Sequence, residues 1–308
     1  MKWLLILLLF SGFLQGQDLT FLKNFDYRKA DSIALSYSKK KYKNVAELVP
    51  FLIQNLNTEQ EKFRVIFRWI TENIEYNRSA SGLNESGKVL KRNKAVCIGF
   101  SRLLKEMCDA ANIPCQVIVG YTKTDVSDIG RKLRKTDHAW NCVLLYGVWY
   151  LCDVTWATSK FNVVTHKFQK EFDGHYFLTP AAQFILDHFP KDVKYQFLDR
   201  KAKKKTFRQS PVYYANYFHS EIQTLRPEQG SFSWKKDVPL DVVVQSKTGL
   251  MNAAVLLSTG PFLLPAIINQ DPGNGSYRFQ CVFPVKGRVI FTIYLNHECV
   301  AEYLVKVK

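Results

Sequence analysis

At 308 residues the chain is long enough for two domains, and its formal net charge of +16 favours anionic partners. No basic stretch carries the aromatic interleaving or module signature of a nucleic-acid reader. Beyond the first residues no uninterrupted apolar run approaches membrane-spanning length, so no transmembrane anchor is expected.

The chain opens MKWLLILLLFSGFLQGQ. Lys2 supplies a positive n-region, Trp3 to Phe10 an apolar stretch, and Ser11, Gly12 and Gly16 a small-residue cleavage zone. This predicts a secretory signal peptide over residues 1–16 and export to a periplasm or the extracellular space. No cysteine lies near that zone, which argues against a lipoprotein anchor there. Cleavage removes only Lys2, leaving 42 basic against 27 acidic residues, a net of +15. The basic residues cluster in RKLRK (Arg131–Lys135) and DRKAKKKTFR (Asp199–Arg208). They read as a solvated face and a charged linker, with an anionic cell-envelope surface, acidic polymer or acidic protein as the alternative role.

Helical patterns follow at Tyr27–Tyr42 and Asn44–Asn55. A stronger one starts at the capping-box pair Thr58 and Glu61 and places Phe63, Ile66, Phe67, Ile70 and Ile74 at helical spacing. Asn77–Lys88 reads as a polar loop. A second buried helix carries Phe100, Leu103, Leu104, Met107 and Ala111 on one face and stops at Asn112-Ile113-Pro114. Cys115–Tyr121 is strand-like, as are HAWNCVLL and VWYLCDVTW, which meet around Tyr146-Gly147. Thr179-Pro180 looks like the start of a short helix over Ala181–His188. Past about Phe207 the pattern becomes strands separated by turns: PLDVVVQS, NAAVLLS, SYRFQCVF, RVIFTIYL and CVAEYLVKV. That spacing predicts a small antiparallel sandwich.

Seven cysteines make an odd count, so at least one is unpaired, and such a leftover can be a reactive thiol. Cys97 sits at the mouth of the second buried helix, where unpaired N–H groups and the macrodipole favour thiolate. Gly99 just after it would let backbone or substrate come close. If Tyr146-Gly147 is a two-residue loop, or Leu145–Val148 a four-residue one, Leu144 pairs with Trp149. His138 and Asp153 are then diagonal neighbours on one face, within reach of each other. Asp137 points to the opposite face and is the poorer partner. On that register a Cys142–Cys152 bridge is disfavoured. Cys108–Cys115 and Cys281–Cys299 bridges stay open. His166, His175, His188, His219 and His297 show no comparable arrangement. Among the tryptophans, Trp140 and Trp149 read as core, and Trp156 is placed near the site. No CxxC pair or HExxH occurs and DPGNGS reads as a turn, so no metal and no cofactor are expected. The sequons at Asn77, Asn84 and Asn274 matter only in a glycosylating cell.

The order VIFRWITENIEYN … AVCIGFSRLLKEM … DHAWNCVLLYGVWYLCDVTW resembles the transglutaminase-like superfamily of papain-like cysteine enzymes, in particular the branch related to kyphoscoliosis peptidase. The specific motifs run from about Asn55 to Trp156 and continue more loosely through HYFLTPAAQFILDHFP and TFRQSPVYY. The resemblance implies an α+β fold: a transglutaminase-like, papain-like domain of helices on an antiparallel sheet over 17–200, then an all-β Ig-like sandwich over 207–308. It implies Cys97 as nucleophile, His138 as base and acid, and Asp153 as orienter. Ala95-Val96 departs from the glycine many relatives carry before the cysteine. The backbone N–H of Cys97 is a candidate oxyanion donor, Tyr76 a weaker one, and Trp156 a candidate pocket residue.

Together these readings predict an exported cysteine peptidase or amidase acting on a protein or peptide substrate. It would form an acyl-thioester from an amide and transfer it to water. A protein-cross-linking transglutaminase, which transfers the acyl group to an amine, shares that chemistry. A third reading is a catalytically unused binding or scaffold protein.

Overall fold

The chain from Glu59 to Asn73 folds as a helix because its apolar residues recur at helical spacing behind a complete N-terminal cap. Thr58 accepts from the Glu61 N–H, and Glu61 reaches back to the Thr58 N–H and hydroxyl at 3.2 and 2.6 Å. In the computed structural model, which describes residues 22, 25–37, 41–162, 167–246, 253–259, 262–265, 271–273 and 276–308, this is helix α3. It follows α1 (Arg28–Ser36) and α2 (Val45–Ile53), the latter capped by Asn44. The proposed signal segment 1–16, His166 and the Asn274 sequon lie outside the described residues.

The expected loop at Asn77–Lys88 is partly helical. A 3-10 turn at Arg78–Ala80 leads to α4 (Ser86–Arg92), which Asn93 ends in the left-handed region at φ 51°. Two short strands, β1 (Glu75–Tyr76) and β2 (Lys94–Ala95), pair in parallel and guide the chain into α5 (Cys97–Ala110). Strands β3 (Cys115–Thr122), β4 (His138–Leu145) and β5 (Val148–Cys152) form an antiparallel meander that packs on α5. A hairpin of β6 (Lys160–Asn162) and β7 (Lys167–Gln169) stands apart.

The helix expected over Ala181–His188 stops early. The structure has α6 at Ala181–Phe184 only, and His188–Pro190 is instead strand β8, paired with β3. The sheet order is therefore β5-β4-β3-β8. Gly120 of β3 lies opposite Pro190, and a Cβ there would overlap the Phe189 carbonyl oxygen and the Trp140 ring. Only a glycine lets β8 come so close.

The lysine-rich stretch is not a free linker. It enters α7 (Lys204–Gln209), whose Phe207 packs on Tyr121 and Phe189. Strand β9 (Val212–Tyr213) and helix α8 (Ala215–His219) follow. The remainder forms β10 (Ile222–Arg226), β11 (Ser231–Trp234), β12 (Leu240–Ser246), β13 (Ala253–Thr259), β14 (Phe262–Pro265), β15 (Asp271–Gly273), β16 (Ser276–Cys281), β17 (Gly287–Leu295) and β18 (Glu298–Val307). One sheet has the order β10-β12-β16-β15, the other β11-β18-β17-β13-β14, and both bury side chains in a common core that includes Val242, Val244, Phe291 and Tyr303. It is not wholly antiparallel as expected: β11 runs parallel to β18.

Strand β9 pairs with β18. The buried Lys123 ammonium ties this part to the first by donating to the Ser210 carbonyl and hydroxyl and to the Pro211 carbonyl at 2.7 Å. Replacing Thr58 by Ala removes the capping box of α3, and a loss of about 1 kcal/mol in urea unfolding is expected. An unchanged unfolding midpoint would show that the cap contributes nothing to the folded state.

Candidate active site

Cys97 is the first residue of α5. The N-cap residue, Val96, is extended and brings no side-chain oxygen to the first helical turn. The helix mouth is thus open to a negative charge, which the macrodipole favours. Gly99 serves the backbone rather than a substrate. A Cβ there would lie 2.7 Å from the Leu83 carbonyl oxygen and 2.9 Å from the Ala95 Cβ. Glycine lets the loop before α4 press against the start of α5.

His138 and Asp153 are brought together by the β4–β5 hairpin. Tyr146 and Gly147 both have positive φ, 51° and 81°, which is the pattern of a two-residue type I′ turn. The register that follows pairs Leu144 with Trp149 and Asn141 with Cys152. Strand β5 ends at Cys152, and Asp153 opens a tight turn whose Thr155 and Trp156 N–H groups donate to Asp153 Oδ1 at 2.8 and 3.1 Å. Its other oxygen, Oδ2, lies 2.5 Å from His138 Nε2. That leaves Nδ1 of His138 to meet the Cys97 sulfur.

The electrostatics favour an ion pair. Burial pushes the Cys97 thiol up, but hydrogen bonds from the His138 side chain and the Ala139 N–H, with the charge of His138, bring it below its ordinary value. Burial opposes protonation of His138, yet Asp153 and Cys97 raise it to about 10. Asp153 is fully buried, which disfavours its charge, but His138 and His188 hold it well below the usual carboxylate range.

His188, which sequence reasoning set aside, belongs to this site. Its Nε2 lies 3.0 Å from Asp153 Oδ2, the same oxygen that His138 engages, and its Nδ1 lies 2.5 Å from Asp187 Oδ1. Tyr176 donates its hydroxyl to Asp187 Oδ2 at 3.0 Å. The sequence did contain a signal, Asp187-His188 ahead of Phe189-Pro190. Reading that segment as the end of a helix hid it.

Aromatic rings close the cluster. Trp156 lies 5.5 Å from the His138 ring and 4.4 Å from that of His188. Trp140, expected only as core, also faces both histidines, at 6.1 and 5.1 Å. The ligating atoms of His138, Asp153 and His188 lie within 4.8 Å of one another. Each is already engaged by a neighbour, and a 2.5 Å N···O separation is that of a hydrogen bond, not of two ligands spread around a metal ion. The arrangement reads as a hydrogen-bonded chain.

The other candidates fall elsewhere. Tyr76 sits opposite Ala95 in the β1–β2 pair, upstream of Cys97, and is exposed at 36%. Asp137 is occupied by the Thr122 N–H and by Arg131 at 2.7 Å. His219 pairs with Asp173 at 3.0 Å, and His175 stacks on Phe218. All seven cysteines are free, so an odd count does not single out Cys97. Environment does. The other six are buried, whereas Cys97 is half-buried. Burial pushes Cys108, Cys152 and Cys299 well above the ordinary thiol range, and Cys142 and Cys281 to about 12. Cys108 and Cys115 hydrogen-bond each other rather than bridge.

Residues 46–154 match the transglutaminase-like superfamily. Kyphoscoliosis peptidase of Homo sapiens is 32% identical over 188 residues, which cover 59% of this chain and 28% of that protein. Hillarin of Drosophila melanogaster is 24% identical over 308 residues, covering 91% of this chain and 38% of that protein. The chain thus spans well under half the length of these relatives. A solved TGase structure covers 54% of this chain and 40% of its own at 15% identity, with a TM-score of 0.29, too slight a likeness to argue from.

Cys97 is expected to react with iodoacetamide faster than any other cysteine of the folded protein at neutral pH, as read by mass spectrometry of the labelled peptides. Equal labelling of a second cysteine would show that Cys97 is not activated.

Proposed function

We propose that this chain, whose residues 46–154 match the transglutaminase-like superfamily, is an exported cysteine peptidase or amidase. The observation that carries the reading is the contact chain Cys97–His138–Asp153, with the thiol favoured as thiolate and the imidazole as imidazolium. The Cys97 sulfur attacks the amide carbonyl carbon, and the carbonyl electrons move to oxygen. The Cys97 backbone N–H, in the first turn of α5, donates to that oxygen. His138 delivers its proton to the leaving amine, the C–N bond breaks, and an acyl-thioester remains. A water molecule then gives a proton to His138, attacks the thioester, and releases the acid and the Cys97 thiolate. Asp153 keeps the imidazole turned so that Nδ1 faces sulfur throughout.

Two relatives, from human and mouse, bear the name peptidase, which favours water over an amine as acceptor. The leader-like start, Lys2 followed by the apolar stretch Trp3 to Phe10, supports export to a periplasm or the extracellular space. In this reading 17–200 is the catalytic part and 207–308 an Ig-like sandwich. The sandwich rests on the two sheets and the single core they share.

The partner would be a protein or peptide substrate presented at an anionic envelope surface. The two basic segments support this, since they lie side by side. The Gly130 N–H donates to the Arg208 carbonyl at 2.8 Å, and Arg208 donates to the Arg131 carbonyl at 2.6 Å. Lys132, Arg134, Lys135, Lys201, Lys203, Lys204 and Lys205 are all exposed around that junction. Retention on vesicles containing phosphatidylglycerol is therefore expected to fall steeply with salt, and to weaken when Lys203, Lys204 and Lys205 are replaced by Gln. Retention indifferent to salt would remove the envelope surface from this reading.

Cys97→Ala is expected to abolish amide hydrolysis while leaving the circular-dichroism melt unchanged. Incubating the wild-type protein with peptide libraries, with and without added amine, and weighing the products decides the acceptor. Free acids in both cases support the hydrolase. Amides formed only with amine would make the chain a cross-linking transglutaminase. Turnover that survives Cys97→Ala would overturn the mechanism.

A further inference from the structure

Asp153 serves two imidazoles through one oxygen, and the second has no part in the mechanism above. We propose that His188 is a positioning residue of that reaction: a permanently cationic imidazole that pins Asp153 and limits how strongly the carboxylate holds the His138 proton. The inference rests on the Cys97–His138–Asp153 reading.

The charge of His188 follows from its neighbours. A neutral imidazole has one N–H and can donate to one acceptor only. His188 faces a carboxylate oxygen from each nitrogen, Asp187 Oδ1 at 2.5 Å and Asp153 Oδ2 at 3.0 Å. Asp187 also receives the Tyr176 hydroxyl, and Asp153 receives two backbone N–H groups and His138. Both therefore act as acceptors, and both nitrogens of His188 carry protons. His188 and Asp153 are fully buried and Asp187 is 1% exposed, so water screens none of this. The other titratable groups around His188 are His138, with ring centres 5.5 Å apart, the Tyr176 phenol at 5.9 Å, and the more distant His175. Trp140, Trp156 and Phe184 supply the remaining walls and carry no charge.

From sulfur inward, the charges alternate along Cys97, His138, Asp153, His188 and Asp187. In such a chain each cation on Asp153 weakens the hold of the carboxylate on the other. Without His188, Asp153 would act on His138 alone. The imidazolium would become more stable and would give its proton to a leaving amine less readily. Cys97 would also lose a nearby positive charge, and its thiolate would become less favoured. Removing the cation therefore raises the pKa of both groups, by on the order of one unit for a charge at this distance in a buried site.

The test follows the pH dependence of Cys97 alkylation by iodoacetamide in the full chain. His188→Gln keeps an N–H donor for Asp153 but removes the charge. The expected result is a rise of the Cys97 reactivity midpoint by about one pH unit, with the pH profile of peptide hydrolysis moving the same way. A variant that melts like the wild type and keeps the wild-type midpoint overturns the proposal. So does one that loses reactivity at every pH without a change of midpoint, because packing alone would do that. A second measurement needs no folded variant: nitrogen NMR of histidine-labelled wild-type protein at pH 8. Both nitrogens of His188 should be protonated there, where an ordinary histidine is neutral; a neutral His188 overturns the proposal. Ordinary Cys97 reactivity in the wild type alongside a doubly protonated His188 would instead fault the nucleophile assignment, which separates the two failures.

Discussion

Asp153 is a carboxylate with no solvent exposure, and the cost of holding that charge in the interior organises what surrounds it. Its oxygens take four donors: two backbone N–H groups from the turn it opens, and two imidazoles from separate strands. Removing any of these leaves a buried charge short of a partner. The hairpin must therefore close with a two-residue turn, and β5 must end one residue before Asp153. Strand β8 must also reach the edge of β3. Helix α5 packs across β3 and β4, which brings Cys97 within hydrogen-bond reach of His138.

The edge contact depends on small features. Gly120 allows β8 to approach, and the helix that would have continued from Ala181 ends at Phe184, freeing His188 to enter the sheet. The same edge receives Phe207 of α7 against Tyr121 and Phe189, and Lys123 is clamped by the carbonyls of Ser210 and Pro211. The segment between the two halves of the molecule is thus attached to the strands that carry the site. The neighbouring basic segment packs beside it through Arg208.

Local rules made some of this legible. The Thr58–Glu61 box, the apolar stripe of α5 and the even spacing from Leu144 to Trp149 each depend on neighbours a few residues away, and the structure has all three. Helix α4 escaped because its seven residues offer only one adjacent apolar pair, Val89 and Leu90, too little for a periodic signal. The parallel pairing of β11 with β18 escaped because strand direction in a sheet depends on a long connection rather than on the strand itself. The idea that an odd cysteine count marks the reactive residue did not survive seven free thiols. The distinction came from burial and from one nearby imidazole.

From the residues alone came the hairpin register that makes His138 and Asp153 neighbours, the helix mouth that holds Cys97, and the β-rich character of the C-terminal part. These are set by short-range periodicity and turn chemistry, which a linear sequence displays. Tertiary structure alone decided that the Asp153 carboxylate is shared with His188, that Trp140 faces the site, and that two basic segments about 70 residues apart in sequence lie together. Each joins elements distant in sequence, and the His188 contact also needs Gly120, too small to obstruct the approach of β8. No pattern along the chain records such a meeting.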